Sequence, residues 1–597
     1  MTREAPRGRG SVTIVQFLNT TTVLDCNFCG APWGTGWSQT VDTHRTSGCD
    51  ERLTVEDESR LRVPGMLIGY VSDERFIALH DVAVLFETAD ADPVQVRSLA
   101  DGSVRADLPA GDYRVTFRRD GFSAKRTSVT LPVDDPVQFR LLSTSLVGYM
   151  WPKCVRSGEK SEYRVHASEA YRLDLFRYGW EKEPVRTVGW YDEHGPLATT
   201  QVTPDGDYTQ TGIRFNHQGY SNNPHHRQYL IGPERSGLYY LHARTVSGEF
   251  FTFPWIVAPA EPENDIAVLA ANINWNCYNN FGGRSNYIHP QELPSEPTVN
   301  ARQDLHRYTS DLHMHFSVED YAPLSFDRPE LFNHVPEQTR IDDPLEGRSE
   351  CHTLPAEWRL FGWLEREGFG YDLYAETQFH FEQLDLDAYK VLIISAHPEY
   401  WSQEMYYRLK EWVFERGGKL MYLGGNGLNC AVEFLDDSTI TVRNSSQGGS
   451  SSDMAKIDKE SRLDVYYESE ANLLGVRCTE EGIMTGAPYR AIDTSHWIFE
   501  GTGLSDGDIF GERCLHVRCP GGASGHETDK MSPSSPPGTR LLARGLNPDE
   551  GGADMIHHET ESGGAVFSVG SISYPCALPV DENISKITRN VLQRFLA

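Results

Sequence analysis

Lys390-Val391-Leu392-Ile393-Ile394-Ser395, followed after Ala396 by His397-Pro398-Glu399-Tyr400-Trp401, decides how this chain folds. A short apolar run of this length reads as a strand buried on both faces, as in a parallel sheet. Beyond the loop, Ser402 is an N-cap for a helix whose stripe is Met405, Leu409, Trp412 and Val413 and whose stop is Gly417-Gly418. Lys419-Leu420-Met421-Tyr422-Leu423 is the next strand. Upstream, Asp265-Ile266-Ala267-Val268-Leu269-Ala270 repeats the buried-strand pattern, and a helix over 356–367 presents Leu360, Phe361 and Leu364 before Gly368. A strand over 565–569 and a helix over 584–596, with Ile584, Ile587, Val591 and Phe595 on one face, close the chain. Strand, helix, strand alternation predicts a doubly wound, mainly parallel α/β domain over 265–597.

The preceding half has a different grammar. Residues 1–62 show no period, and their lone Cys26-x-x-Cys29 with Cys49 lacks the second pair of a zinc set, so it reads as a packed loop. Over 63–140 short alternating strands appear, such as Tyr113-Arg114-Val115-Thr116-Phe117, and over 141–258 strand-like runs continue between Asn, Gly and Pro clusters. Two β-sandwiches are expected, joined to the α/β domain by the linker Pro259-Ala260-Glu261-Pro262-Glu263-Asn264. The fold class is therefore multidomain, all-β followed by α/β. Within the first sandwich, Asp101-Gly102-Ser103, Leu108-Pro109-Ala110-Gly111-Asp112-Tyr113 and Asp120-Gly121-Phe122 resemble the transthyretin-like, carboxypeptidase-regulatory type of accessory domain.

Composition narrows the partners. A length of 597 residues exceeds one hydrophobic core and agrees with three or four domains. The 85 acidic and 55 basic side chains leave a net charge of -30, which repels phosphate backbones and anionic lipid. Nucleic acid and membrane are not expected partners. The run Val12-Thr13-Ile14-Val15 is too short for a signal-peptide core and no stretch reaches spanning length, so a soluble, cytoplasmic chain with reduced thiols is expected.

Ligands of open α/β sheets gather beyond the carboxyl ends of the strands. His397, Glu399 and Tyr400 lie at such an end, and the competing reading has His397 and Glu399 capping backbone groups while Tyr400 and Trp401 pack under the next helix. The following loop, Leu423-Gly424-Gly425-Asn426-Gly427-Leu428-Asn429, leads into Ala431-Val432-Glu433-Phe434 and resembles a strand-to-helix nucleophile elbow. In glutamine-amidotransferase-like domains such a turn presents a cysteine. Here it presents Asn426, and Cys430 is expected inside the helix, which disfavours Cys-His-Glu catalysis. Tyr278, Asn279 and Asn280 after the first strand can line the same cleft, and His526, Glu527 and Asp529 after a Gly-rich turn can close it or bind a cation.

Taken together, Asn276-Cys277-Tyr278-Asn279-Asn280-Phe281-Gly282-Gly283, Trp363-Leu364-Glu365-Arg366-Glu367-Gly368, His397 to Ser402, Tyr422 to Gly427, Leu474-Gly475-Val476 and Gly522 to Asp529 resemble, in order, the large subunit of N,N-dimethylformamidase and its relatives. The resemblance implies a hydrolase of small amide C–N bonds that uses mononuclear ferric iron held by two tyrosinates and one glutamate. On this alignment Tyr400 takes one tyrosinate position and Glu460 the glutamate position, so both are metal-ligand as well as catalytic candidates, with His397 or Glu399 assisting proton transfer. The other tyrosine should fall near Trp358 or Arg359, and neither is one; Tyr371, Tyr374 and His380 lie downstream. An arginine there could pair with Glu460 or Tyr400 and replace the metal's charge. The resemblance also implies homo-oligomers and a small accessory subunit. Two other functions compete with amide hydrolysis: amide formation or rearrangement by the same groups, and a noncatalytic binding or assembly protein with a degenerate site.

Overall fold

The computed structural model describes residues 65–89, 91–143, 146–167, 169–191, 200–201, 205–213, 229–299, 321–443 and 459–597. The lead segment 1–62, with Cys26, Cys29 and Cys49, lies outside the described residues. All described residues belong to one compact unit, Leu53–Ala597. The chain is rich in sheet.

Two groups of sheets precede residue 259. Strands Gly111–Arg118 and Ala124–Leu131 pair antiparallel in a five-stranded sheet, and Met66–Ser72 lies between Ser103–Ala106 and Val137–Arg140 in a three-stranded one. Alternation along Gly111–Arg118 sends Tyr113, Val115 and Phe117 into a core with Ile68, Val84 and Phe139. A second core, with Tyr149, Leu173, Leu241 and Trp255, belongs to Leu146–Trp151, Lys160–Ala167, Tyr171–Tyr178, Gly237–Thr245 and Phe250–Ala258. These are β-sandwich parts.

The remaining residues build on one nine-stranded sheet. Asp372–Ala375, Ile266–Ala270, Val391–Ala396, Lys419–Gly424 and Ala565–Ser568 lie side by side and parallel; Asp554–Glu559, Arg540–Gly545, Tyr489–Ala491 and Ile509–Phe510 extend them antiparallel. Successive residues of the parallel strands enter opposite cores. Val268, Ile393 and Met421 pack with helix Leu354–Arg366 and helix Glu582–Leu596, while Leu269, Ile394 and Leu420 pack with helix Gln403–Phe414. Ser402 caps the last of these, its Oγ accepting from the Met405 N–H at 3.3 Å. Among the described residues no helix is long and apolar enough to cross a membrane.

One local expectation is overturned. The segment after the glycine-rich loop is not a helix: Cys430–Asp436 is a strand, antiparallel to Thr439–Arg443 and, at its start, parallel to Tyr400–Trp401. Its apolar cluster was compatible with either period, and pairing with a β-branched partner strand, Thr439-Ile440-Thr441-Val442, decided it. Cys430 consequently stands beside the His397–Trp401 loop.

Candidate functional site

Strands Ile266–Ala270 and Val391–Ala396 are neighbours in the sheet, and the chain leaves them for opposite sides: after the first comes Asp372–Ala375, after the second Lys419–Gly424. No element fills the space directly beyond such a pair, which is where ligands of parallel sheets bind. Helix Asn272–Tyr278 and its following loop enter from the first strand, and His397 to Trp401 from the second.

Their side chains converge on oxygen. The Tyr278 hydroxyl donates to Glu399 Oε2 at 2.9 Å, the Tyr287 hydroxyl reaches Tyr278 at 3.0 Å, Glu399 at 3.3 and 3.4 Å, and the Tyr400 hydroxyl at 2.7 Å. Asn286 Nδ2 donates to the Tyr400 oxygen at 2.6 Å. The loop that returns Asn286 and Tyr287 to the site is held by Arg328, whose buried guanidinium donates to the carbonyls of Asn276, Asn279, Phe281 and Arg284. At Gly282 and Gly283 φ is +108° and +98°, and an added Cβ would meet Thr209 Cγ2 at 2.2 Å or Phe76 Cβ at 2.5 Å, so only glycine permits this bend.

An imidazole adjoins the oxygen cluster. His397 Nε2 lies 3.3 Å from Glu399 Oε2 and 3.2 Å from Glu527 Oε2, and Asn426 Nδ2 donates to the same Glu527 oxygen at 2.7 Å. Asn426 itself is fixed in a left-handed conformation, φ +50°, with its N–H on Asp529 Oδ1 at 2.8 Å. The glycines of its loop serve close approach: a Cβ on Gly425 would meet Glu527 O at 2.5 Å, and one on Gly427 the Tyr422 hydroxyl at 2.6 Å. Cys430 Sγ faces Glu399 Oε1 at 3.7 Å, and Arg462 faces Cys430 at 3.7 Å.

Burial governs the electrostatics. It pushes the hydroxyls of Tyr278, Tyr287 and Tyr400 well above the ordinary phenol pKa, and the Glu399 charge adds to this. Burial also opposes a charge on His397, yet Glu527 and Glu399 outweigh it and raise the imidazole's pKa. Glu527 is held low despite burial by His397, whereas burial lifts Glu399, and Asp529 rises to about 7. Tyr278, Tyr287 and Glu527 are the half-buried members, so the cluster meets solvent on their side.

The structure thus brings together His397, Glu399, Tyr400, Tyr278, Asn426 and Glu527. It does not join Glu460 to them: that carboxylate accepts from Ser469 and Ser532 at 2.9 and 2.8 Å, and no hydrogen bond or ion pair among the described residues links it to Tyr400. Asn279 caps its own turn, accepting from the Phe281 N–H and donating to Pro329 O, and the Asn280 carbonyl accepts from the Gly283 N–H. His526 bonds His516, beyond Glu527. Arg359 donates to Pro355 O and Asp343 O and pairs with neither Glu460 nor Tyr400. Tyr374 bonds Tyr389, Tyr371 packs in the core with Phe361, and His380 bonds Ser402. Sequence reasoning missed Asn286, Tyr287 and Arg462, and placed Cys430 in a helix rather than on the strand that brings it to Glu399. The Gly282-Gly283 pair signals a bend after Tyr278, but no local pattern places Tyr287 in the site, because its return depends on Arg328.

Residues 172–587 match the family described as N,N-dimethylformamidase beta subunit-like, C-terminal, and the chain belongs to that family. It is similar to the N,N-dimethylformamidase beta subunits of Alcaligenes sp and Paracoccus aminophilus, 27% identical to each over 303 residues, covering 42% of this chain and 38% of each relative. The match thus spans well under half the length of those relatives. A DUF3823 family protein from Parabacteroides merdae aligns with 31% of this chain and 88% of its own at 14% identity, with a TM-score of 0.12.

Proposed function

We propose that this chain hydrolyses an amide C–N bond of a small molecule at the cluster of Tyr278, Tyr287, Glu399 and Tyr400, with His397 and Glu527 moving the proton. The observation that carries this is the junction of a four-residue oxygen cluster with an imidazole shared by two carboxylates, in a chain of this family. We read the parallel part of the nine-stranded sheet, with helices in both adjoining cores, as a doubly wound α/β domain.

The donor set fits ferric iron. Phenolate and carboxylate are hard oxygens, and neighbouring ligands about 2 Å from one ion stand roughly 2.8–3.3 Å apart, which the spacings of this cluster match. Tyr400, Tyr287, Tyr278 and Glu399 would hold the ion. When bound, it would supply Lewis acidity toward an amide carbonyl. The buried phenols must lose protons to bind it, so affinity rises with pH.

The remaining roles belong to the chain. His397 Nε2 takes a proton from the attacking water as the C–O bond forms and returns it to the amine nitrogen as the C–N bond breaks. Glu527 stabilises the charged imidazole during that interval, and Asn426 keeps the Glu527 oxygen aimed at it. Asn286 orients the Tyr400 oxygen. The noncatalytic alternative draws on the absent tyrosine near Trp358; Tyr278 and Tyr287 beside Tyr400 favour the enzyme reading by offering phenols in its place.

The test uses full-length protein expressed with iron and assayed for amine release from N,N-dialkyl formamides and other small amides. Release is expected together with a visible phenolate-to-iron absorption, both lost in Tyr400→Phe. Folded, iron-loaded protein that releases no amine from any of them overturns the reading.

A further inference from the structure

Behind the oxygen cluster lies a second group of donors with different chemistry. His516, Cys519 and His526 are all buried, and the ligand atoms they offer lie within 4.8 Å of one another. The two rings touch directly, His516 Nε2 to His526 Nδ1 at 3.0 Å, and His516 Nδ1 accepts the Cys519 N–H at 3.2 Å, which folds the His516-x-x-Cys519 turn back on the ring. The backbone is pinned on both arms. His526 exchanges hydrogen bonds with Met484 and Thr485, and the residues flanking His516 pair with Leu345.

A separate observation points to a ligand. His352 is 4% exposed, and neither of its ring nitrogens has a hydrogen-bond partner. A buried imidazole without partners is costly unless something else engages it. Its ring stands between the two clusters, edge to face with His526 at 5.2 Å and 87° on one side and against Tyr278 and His397 at 4.5 and 5.4 Å on the other.

We propose that His516, Cys519 and His526 form a site for a divalent cation of borderline softness, zinc in the first place, with His352 beside its open position. Two imidazoles and a thiolate suit zinc and ill suit the hard ion that phenolates and a carboxylate select, so the two clusters sort metals by chemistry. On binding, the imidazoles act as neutral ligands, the hydrogen bond between the rings gives way to bonds to the cation, and the Cys519 proton leaves to solvent. The consequence reaches the first site through one peptide bond, since fixing His526 fixes Glu527 against His397.

The test is zinc binding to the chelator-stripped full-length chain, followed by zinc K-edge absorption spectroscopy. One zinc per chain is expected, with a single sulfur at about 2.3 Å and imidazole nitrogens at about 2.0–2.1 Å. Tyr400→Phe should retain it, whereas Cys519→Ser should lose the sulfur and bind zinc at least about tenfold more weakly, as should His516→Gln. A shell without sulfur, or with two or more, overturns the proposal, as does zinc affinity unchanged in both variants. The shell of the unmodified chain decides even if a variant fails to fold, and Tyr400→Phe separates this site from the oxygen cluster.

Discussion

Two pairs of carboxylates stand at the same end of the nine-stranded sheet, Glu357, Glu376 and Glu399 fully buried and Glu527 half-buried, and their partners differ. Glu357 accepts from the Ala271 N–H at 2.9 Å and the Trp275 indole at 2.7 Å; Glu376 accepts from the Ile273 N–H at 3.2 Å and the Trp401 indole at 2.9 Å. Amide and indole donors keep their protons at any ordinary pH. Glu399 and Glu527 instead meet phenols and an imidazole, groups that can give a proton up. The first pair ties helix Asn272–Tyr278 to helix Leu354–Arg366 and helix Glu376–His380. The second is equipped for chemistry, and since Glu399 is as buried as Glu357 and Glu376, burial alone does not set function.

The comparison breaks most visibly at Glu399. Glu399→Gln cannot carry charge, and its amide would present N–H where Tyr278 and Tyr287 donate. Amine release should fall by about a thousandfold or more, on the scale of losing a group that stabilises developing charge, while the unfolding transition remains cooperative. Glu357→Gln should do the opposite. One of its two acceptor positions becomes a donor facing the Trp275 indole or the Ala271 N–H, costing about 1–3 kcal/mol in denaturant unfolding. The turnover number should stay within about threefold, because no atom of Glu357 touches the oxygen cluster, a modest change beside the general-base scale of catalysis.

A smaller effect separates the pairs by pH. Burial raises Glu357 to about 8, Glu470 to about 8 and Asp529 to about 7. A carboxyl raised on folding contributes stability below its unfolded pKa, and that contribution is lost as pH rises through the folded value. Burial lowers His516 to about 4, His557 to about 3, and His352 and His526 well below the ordinary imidazole value. Those groups lose stability as pH falls below about 6.5. Thermal unfolding of metal-free protein should therefore show a maximum near neutrality, with Tm falling from pH 7 to 8.5 and again from pH 6.5 to 5. A Tm that rises steadily to pH 8.5 would contradict the protonated state of Glu357.

The strands were legible where burial on both faces leaves a continuous apolar run, as at Val391 to Ser395, and Ser402 was legible as a cap because capping is local. Cys430 was not, because Ala431-Val432-Glu433-Phe434 suits either period until Thr439–Arg443 pairs with it. Much of the site could be read from polar residues in loops after strands and glycine-rich turns: His397, Glu399 and Tyr400, and likewise Tyr278, Asn426 and Glu527. Tyr287 could not, since its return depends on two positive-φ glycines and on Arg328, 41 residues further along the chain. Neither a periodicity nor a spacing reports a guanidinium that gathers carbonyls from a distant loop.

Glu460 gives the smallest expected effect and the sharpest check on which carboxylate serves the tyrosines. Its oxygen accepts from Ser469 and Ser532, and Arg477 Nε stands 3.9 Å away, so its partners are hydroxyls and a guanidinium that brace the segment before helix Ala471–Leu474. Glutamine keeps an acceptor for one of these hydroxyls and loses only a long, partly exposed ion pair, worth about 0–1 kcal/mol. Iron content and the phenolate-to-iron absorption of Glu460→Gln should match those of the unmodified chain, and amine release should change by less than about threefold, against the loss of both signals expected in Glu399→Gln. If Glu460→Gln empties the iron site while Glu399→Gln retains it, the carboxylate ligand comes from the segment around 460, and the oxygen cluster around Glu399 serves the substrate instead.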